Sequence, residues 1–145
     1  MDYLIDSNVL MYLANPASPF YAVCLSAATK LADPPNRLFI FPQNLIEFWV
    51  SATRPIAANG LGLSVPQVKH EIQRIKGLFT LVDENREIFR EWERLVQMHS
   101  IIGKNVHDAR IVAQMLVHGI DNILTFNTKD FKRFSNITAI DPSSI

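Results

Sequence analysis

The segment LIDSNVLMYL, residues 4–13, places an acidic residue between two short apolar runs. The first run, Tyr3–Ile5, is predicted as a buried strand that ends at Asp6. The second run, in VLMYLA, has the composition of a helix, which the Asn15-Pro16 pair ends. A strand followed at once by a helix is the repeating unit of α/β proteins.

The rest of the chain continues this alternation. Apolar runs bounded by turn residues predict strands, and apolar residues at helical spacing predict helices. The predicted strands are 38–41, 80–82, 122–126 and 137–140, and the predicted helices are 19–32, 42–54, 64–79, 85–100 and 105–118. This alternation predicts an α/β fold, a three-layer α/β/α sandwich around a central parallel sheet. Ligands of such sheets bind in the crevice outside the carboxyl ends of the strands.

Length and composition indicate one globular domain over residues 1–145, with 48% hydrophobic and 19% charged residues. Cys24 is the only cysteine, which excludes an internal disulfide and agrees with a cytoplasmic protein. No apolar stretch reaches the roughly 18 residues of a membrane helix. Asp2 and Asp6 interrupt the apolar N-terminus and no basic region precedes it, so we also expect no signal peptide.

Fourteen Lys and Arg residues balance fourteen Asp and Glu residues. This neutral balance disfavours a protein that binds RNA tightly through charge alone. It still permits an enzyme that contacts a short length of RNA backbone through metal ions. The histidines show no zinc-ligand spacing and are predicted to be surface or half-buried residues: His70, His99, His107 and His118.

Two aspartates are the first candidates for a site at the crevice. Asp6 directly follows the first strand, although an Asp or Ser there also caps the next helix, with Ser7 as the cap if Asp6 faces the crevice. Asp108 shares the apolar side of its own helix with Val112, where an unpaired carboxylate is costly. Its alternative role is that of a first-turn acidic residue favoured by the helix dipole, with Asn105 as the N-cap.

Two further carboxylates have weaker positional support. Glu47 shares a narrow polar stripe with Asn44 and Ser51 on an otherwise bulky, apolar helix. That pattern fits an acid directed from a largely buried helix into a cleft, and its alternative is a stripe that faces water. Asp130 lies in a polar loop just after the NILTF strand, where it is either at the active edge or simply solvated, with Asn127 near it.

Three of these four carboxylates lie at strand ends or helix starts, which the predicted topology brings to one edge of the sheet. Grouped carboxylate oxygens suit Mg²⁺ or Mn²⁺ far better than zinc. The candidate metal-binding and catalytic residues are therefore Asp6, Glu47, Asp108 and Asp130.

The order of these motifs resembles that of the PIN-domain nucleases, and among them the VapC-like toxins of bacterial toxin–antitoxin pairs. The matching segments span almost the whole chain: LIDSNVLMYL around Asp6, NLIEFW around Glu47, HDARIVAQML around Asp108 and ILTFNTKDF around Asp130. The resemblance matches these four residues to the family's acidic quartet. It also matches the family's supporting polar positions to Ser7, Asn8 and Asn127.

The resemblance implies a small α/β/α sandwich that cleaves RNA phosphodiester bonds with Mg²⁺ or Mn²⁺. It also implies a homodimer that a small antitoxin protein holds inactive by filling the acidic groove. Two features depart from the family pattern. The region Pro55–Phe79 is long for a minimal toxin, and the neutral charge identifies no target RNA.

Two rival functions remain open from the residues. A phosphatase-like hydrolase would use Asp6 as its nucleophile, but that chemistry usually has a second Asp two residues later, where this chain has Asn8. The other rival is a non-catalytic relative that only binds RNA or protein. The complete acidic quartet argues against this second rival.

Overall fold

A parallel sheet of five strands forms the centre of the protein, in a computed structural model that describes all of residues 1–145. The strands are β1 (Asp2–Ile5), β2 (Arg37–Ile40), β3 (Thr80–Leu81), β4 (Asn122–Leu124) and β5 (Thr138–Ile140). Their order across the sheet is β3-β2-β1-β4-β5, and every neighbouring pair is parallel.

Six α-helices connect the strands. They are α1 (Ser7–Leu13), α2 (Tyr21–Leu31), α3 (Pro42–Thr53), α4 (Val65–Leu78), α5 (Arg86–Met98) and α6 (Asn105–His118). Short 3₁₀ turns lie at Ile56–Ala58, Thr128–Phe131 and Pro142–Ser144. Every predicted strand and helix is therefore present, with ends that differ by a few residues at most.

Alternating side chains of the central strands face two separate hydrophobic clusters, because successive strand residues point to opposite faces of a sheet. Tyr3 and Ile5 of β1 pack into a cluster with side chains of α1, α2, α3 and α4. Leu4, between them, packs into a second cluster with α5 and α6. The two clusters confirm the predicted three-layer sandwich, with four helices on one face and two on the other.

The order of the strands reverses next to β1. From β1 the chain moves outward through β2 to β3, then crosses back to form β4 on the other side of β1 and continues to β5. At such a reversal the connections leave in opposite directions and open a crevice at the carboxyl ends of the two central strands. Here that crevice lies beyond Ile5 of β1 and Leu124 of β4, where Asp6 N–H still donates a backbone hydrogen bond of 3.1 Å to Leu124 O.

Helix α3 is less buried than its sequence predicted. Ile46, Trp49 and Val50 are 63%, 37% and 54% exposed, so the expectation of a largely buried helix was wrong. The reason is positional, since α3 packs against α1 and α4 and nothing in this chain covers its outer face. Asn44, which was assigned to the polar stripe of Glu47, is fully buried and accepts a hydrogen bond of 2.8 Å from Phe41 N–H at the start of the helix.

The start of α6 also differs from its prediction. Asn105 is the first helical residue rather than the N-cap, which is Lys104, and no side chain caps this helix. The segment 55–63, for which the sequence predicts neither a helix nor a strand, is tied to the end of α3 by backbone hydrogen bonds, among them Gly62 N–H to Arg54 O at 2.8 Å. None of the six helices combines the length and the apolar composition that crossing a membrane requires.

Candidate active site

Asp6 occupies the crevice at the end of β1 and also caps α1. Its side chain is 7% exposed, and Oδ1 accepts a hydrogen bond of 2.7 Å from Ser7 N–H. Oδ2 accepts hydrogen bonds from the Thr125 hydroxyl at 2.7 Å and from Asn8 Nδ2 at 3.1 Å. Both roles considered for this position therefore belong to Asp6, and the alternative that Ser7 is the cap was wrong.

Glu47 lies on α3, with its carboxylate held between two helices. Its Oε2 accepts a hydrogen bond of 3.0 Å from the Ser7 hydroxyl of α1. Its Oε1 accepts one of 3.0 Å from Gln43 Nε2, one turn earlier on α3. Glu47 is half-buried, and its side chain faces neither open water nor the core but the crevice.

Asp108 lies in the first turn of α6, half-buried, and faces the other carboxylates. Burial, followed by the negative charges of Asp130, Asp6 and Glu47, raises the pKa of its carboxyl from 3.8 to about 6, although His107 opposes the rise. Because charge repulsion of this kind acts over short distances, the four predicted carboxylates lie in one neighbourhood. Asp130 is exposed in the Thr128–Phe131 turn and forms the outer member of the group.

The pKa of Asp6 is also raised from 3.8 to about 6. Burial is the largest cause and the charge of Glu47 adds to it, whereas hydrogen bonds from Thr125 and Ser7 oppose the rise. None of the four carboxylates forms a salt bridge with Lys or Arg. The site thus concentrates negative charge that no Lys or Arg side chain of the protein neutralises.

A pocket of about 290 Å³ separates these groups. Its lining includes Asp6, Glu47 and Asp108 together with Ser7, Asn8 and Asn127, but not Asp130. No three His, Cys, Asp or Glu side chains are close enough together to hold one metal ion at the same time. The carboxylates therefore surround the pocket rather than converge on one point.

The supporting polar residues act in different ways. Ser7 and Asn8 contact the carboxylates directly through their side chains, as the motif match implies. Asn127 contributes its backbone N–H, which donates a hydrogen bond of 3.0 Å to the Thr125 hydroxyl.

Thr125 and Gln43 were missed from the sequence. Thr125 is fully buried and joins Asp6, Asn8 and Asn127, so it is the central support of the aspartate. Thr125 could have been identified from the sequence, because its hydroxyl interrupts the apolar strand NILTF next to the predicted active edge. Gln43 offered only its spacing of four residues from Glu47, which places the two side chains on the same face of a helix.

Solved structures similar to this protein have its fold over nearly their full length. VapBC2 from Rickettsia felis, solved bound to a DNA fragment from its promoter, has 19% identity and a TM-score of 0.69, covering 97% of this chain and 98% of its own. VapBC-1 from nontypeable Haemophilus influenzae has 20% identity and a TM-score of 0.69, covering 99% of each chain. VapC20 from Mycobacterium tuberculosis, a toxin that cleaves the sarcin–ricin loop, has 16% identity and a TM-score of 0.66, covering 91% and 95%.

No curated protein matches the chain by sequence. The family described as PIN domain matches residues 3–137, which include all four candidate carboxylates, strands β2, β3 and β4, and all of β1 except Asp2, and which end just before β5. This match covers most of the sequence, and the sheet order, the crevice at β1 and β4 and the similar solved structures agree with it. The chain therefore belongs to the PIN domain family.

Proposed function

We propose that this protein is a divalent-metal-dependent endoribonuclease and the toxin of a toxin–antitoxin pair. The observation that carries the proposal is the grouping of Asp6, Glu47 and Asp108 around one pocket, at the point where the strand order reverses. Three acidic side chains, from the residue after β1, from α3 and from α6, line this pocket without a salt bridge to Lys or Arg, which is a costly arrangement for the folded protein alone.

The donor chemistry fits Mg²⁺ or Mn²⁺. Both ions prefer carboxylate oxygens, and a bound cation would offset the repulsion that raises the pKa of Asp108. We assign Asp6 and Asp108 as the central ligands and Asp130 as an outer one. The present spacing holds no ion at three side chains at once, so the fit rests on the type and number of donors.

The residues of the chain have distinct tasks in this proposal. A divalent cation, when bound, supplies a water of lowered pKa and stabilises charge on the phosphodiester oxygens. Glu47, held by Ser7 and Gln43, either binds the cation or orients the attacking water. Hydrolysis would join the water oxygen to phosphorus and break the bond from phosphorus to the 3′ oxygen, which would take up a proton from the water, so the products would carry a 5′ phosphate and a 3′ hydroxyl.

The test is cleavage of single-stranded RNA with Mg²⁺ or Mn²⁺, compared with cleavage in EDTA. Asp6→Asn and Asp108→Asn are expected to lower the cleavage rate more than about a hundredfold, because they remove ligands rather than their supports. Asp33→Asn is the matched control, since Asp33 is exposed in the turn before β2, at the opposite end of the sheet. Full activity of both site variants would overturn the assignment.

The same assay separates the rival functions. A non-catalytic relative would bind RNA without cleaving it in either cation. A phosphatase-like hydrolase would release phosphate from a phosphomonoester, again with Asp6 as the essential residue, and would leave internal RNA bonds intact. The grouping of three carboxylates around one pocket favours the nuclease over both.

Partners follow from the same proposal. The similar structures from Rickettsia felis and Haemophilus influenzae are toxin–antitoxin complexes, and we propose that this protein also binds a small antitoxin, forms a homodimer and acts in the cytoplasm. Exposed apolar side chains on α3 and α4 support a protein partner: Ile46, Val50, Val65 and Leu78. Co-purification with the product of a short neighbouring reading frame tests the pairing.

A further inference from the structure

Gln43 is a buried glutamine whose amide is fully used. It lies in the first turn of α3 and is 7% exposed. Its Nε2 donates hydrogen bonds to Glu47 Oε1 at 3.0 Å and to His107 O at 2.9 Å. Its Oε1 accepts hydrogen bonds from Arg110 Nη1 at 3.0 Å and from Gln114 Nε2 at 2.9 Å.

These partners fix the orientation of the amide. The two groups around Nε2 are acceptors and the two around Oε1 are donors, so a flipped amide would place N–H groups against N–H groups and oxygens against oxygens. Arg110 is itself held from outside by Glu84, at 2.7 Å. The Gln43 amide therefore presents its N–H to Glu47 in one direction only.

Gln43 connects helix α3 with helix α6, and these two helices carry different carboxylates of the pocket. Glu47 lies on α3 and Asp108 on α6, and these helices pack on opposite faces of the sheet. Every side-chain hydrogen bond between α3 and α6 passes through Gln43. One of them reaches the carbonyl of His107, the residue before Asp108.

Gln114 shows that this arrangement is not simply the most stable packing. It is fully buried on α6, and its Oε1 has no hydrogen-bond partner in the protein. A buried amide oxygen without a partner lowers the stability of the fold, so an apolar side chain of similar size would suit this position better. What the amide supplies is its N–H group, which donates to Gln43 and to Arg110 O.

We propose that Gln43 is a positioning residue that sets Glu47 relative to Asp108 for the divalent cation, with Gln114 and Arg110 holding Gln43 in place. This inference rests on the proposed metal-dependent activity. The hydrogen bonds of Gln43 connect α3 with α6 at the edge of the sheet, a connection that neither Glu47 nor Asp108 makes by itself. These hydrogen bonds set the distance between the carboxylates of Glu47 and Asp108. Their removal should therefore weaken cation binding more than it slows the chemical step.

The experiment measures Mn²⁺ binding by electron paramagnetic resonance in the full-length protein, with unfolding temperatures measured in EDTA. Gln43→Met keeps the length of the side chain and removes its hydrogen bonds, and we expect a Kd for Mn²⁺ raised about 10- to 100-fold. Gln114→Met is expected to raise this Kd several-fold while the unfolding temperature stays equal or increases. Weaker binding in a protein of equal or higher stability is a combination that a purely structural role does not produce.

Ile75→Val is the matched control for lost stability, because Ile75 is buried in the cluster on the face of α1, α2, α3 and α4, whereas Arg110 and Gln114 lie on α6 on the other face of the sheet. It should lower the unfolding temperature without changing the Kd. Cleavage by Gln43→Met should recover at saturating Mn²⁺, to within a few-fold of the wild-type rate.

The outcomes separate the two proposals. Wild-type protein that binds no Mn²⁺ would overturn the metal-dependent function and the positioning role with it. Wild-type binding together with an unchanged Kd in both Gln43→Met and Gln114→Met would overturn the positioning role alone.

Discussion

The two sides of the acidic pocket hold their carboxylates in different ways. On the side of β1, α1 and α3, the carboxylates of Asp6 and Glu47 each accept hydrogen bonds from neighbouring side chains. On the side of α6 and the Thr128–Phe131 turn, no hydrogen bond from the protein supports Asp108 or Asp130, and burial and repulsion dominate the pKa of Asp108.

The half of the candidate site that contains Asp6 and Glu47 is therefore preformed by hydrogen bonds. The half that contains Asp108 and Asp130 depends on a bound cation to offset its charge. Folding alone fixes Asp6, because the hydrogen-bond partners of its carboxylate come from the start of α1 and from Thr125, the residue after β4. Asp108 is placed by its helix, but its charge is left unneutralised. Sites in which hydrogen bonds fix the functional groups bind with less rearrangement than sites held by charge alone.

Among the residues that support the carboxylates of this pocket, the largest effect is expected from Thr125→Val. The substitution keeps the shape of the side chain but removes the hydroxyl that donates to Asp6 and accepts from Asn8 and Asn127. We expect metal-dependent cleavage to fall about 10- to 100-fold, and stability in urea to fall by about 1–3 kcal/mol, because buried partners are left without hydrogen bonds.

Thr125→Ser is the control for that substitution. It restores the hydroxyl and removes only a methyl group, so most of the activity should return. A valine variant as active as the serine variant would show that the hydrogen bonds to Asp6 do not prepare the site.

An intermediate effect is expected from Asp108→Asn on the pH dependence of the stability of the metal-free protein, measured in EDTA. The pKa values of Asp6 and Asp108 are raised in the folded protein, so the protonated carboxyls favour folding, fully below pH 3.8 and progressively less as the pH rises to about 6. Asp108→Asn removes one of these charges without removing a hydrogen bond. It should stabilise the metal-free protein by about 1–2 kcal/mol at pH 8, a value reduced for the partial exposure of this group, and by little at pH 4.

Urea unfolding at the two pH values provides the measurement. Equal stability of Asp108→Asn and the wild type at pH 8 would contradict the view that this side of the pocket carries an unneutralised charge. Added Mn²⁺ should stabilise the wild type and not the variant, because ligand binding to the folded state adds to its stability.

The smallest effect is expected from Asp130→Asn. Its side chain is exposed and lies outside the pocket lining, so cleavage should fall less than about tenfold. The pKa of Asp108, followed by NMR titration, should move down towards 3.8, because the charge of Asp130 raises it more than that of any other carboxylate. A loss of activity as large as that of Asp6→Asn would instead make Asp130 an equal ligand.

Local sequence was sufficient to predict the sheet, the helices and the region of the site. The run Tyr3–Ile5 ends at Asp6 because an apolar strand must stop where the chain turns polar, and the helix of Asp108 follows from its apolar spacing. The parallel topology then placed the strand ends on one edge. Those inferences needed only the pattern of neighbouring residues and the general rules that govern connections between parallel strands.

What local sequence could not determine was which residues meet across the sheet. Thr125 and Asp6 are separated by 119 positions and become partners only because β4 lies beside β1 in the strand order. Gln43 and Gln114 are 71 positions apart and meet where α3 and α6 reach the same edge from opposite faces. The acidic residues could therefore be identified from the sequence. The polar groups that hold them were decided only by the tertiary structure, because a hydrogen bond depends on distance and direction in space.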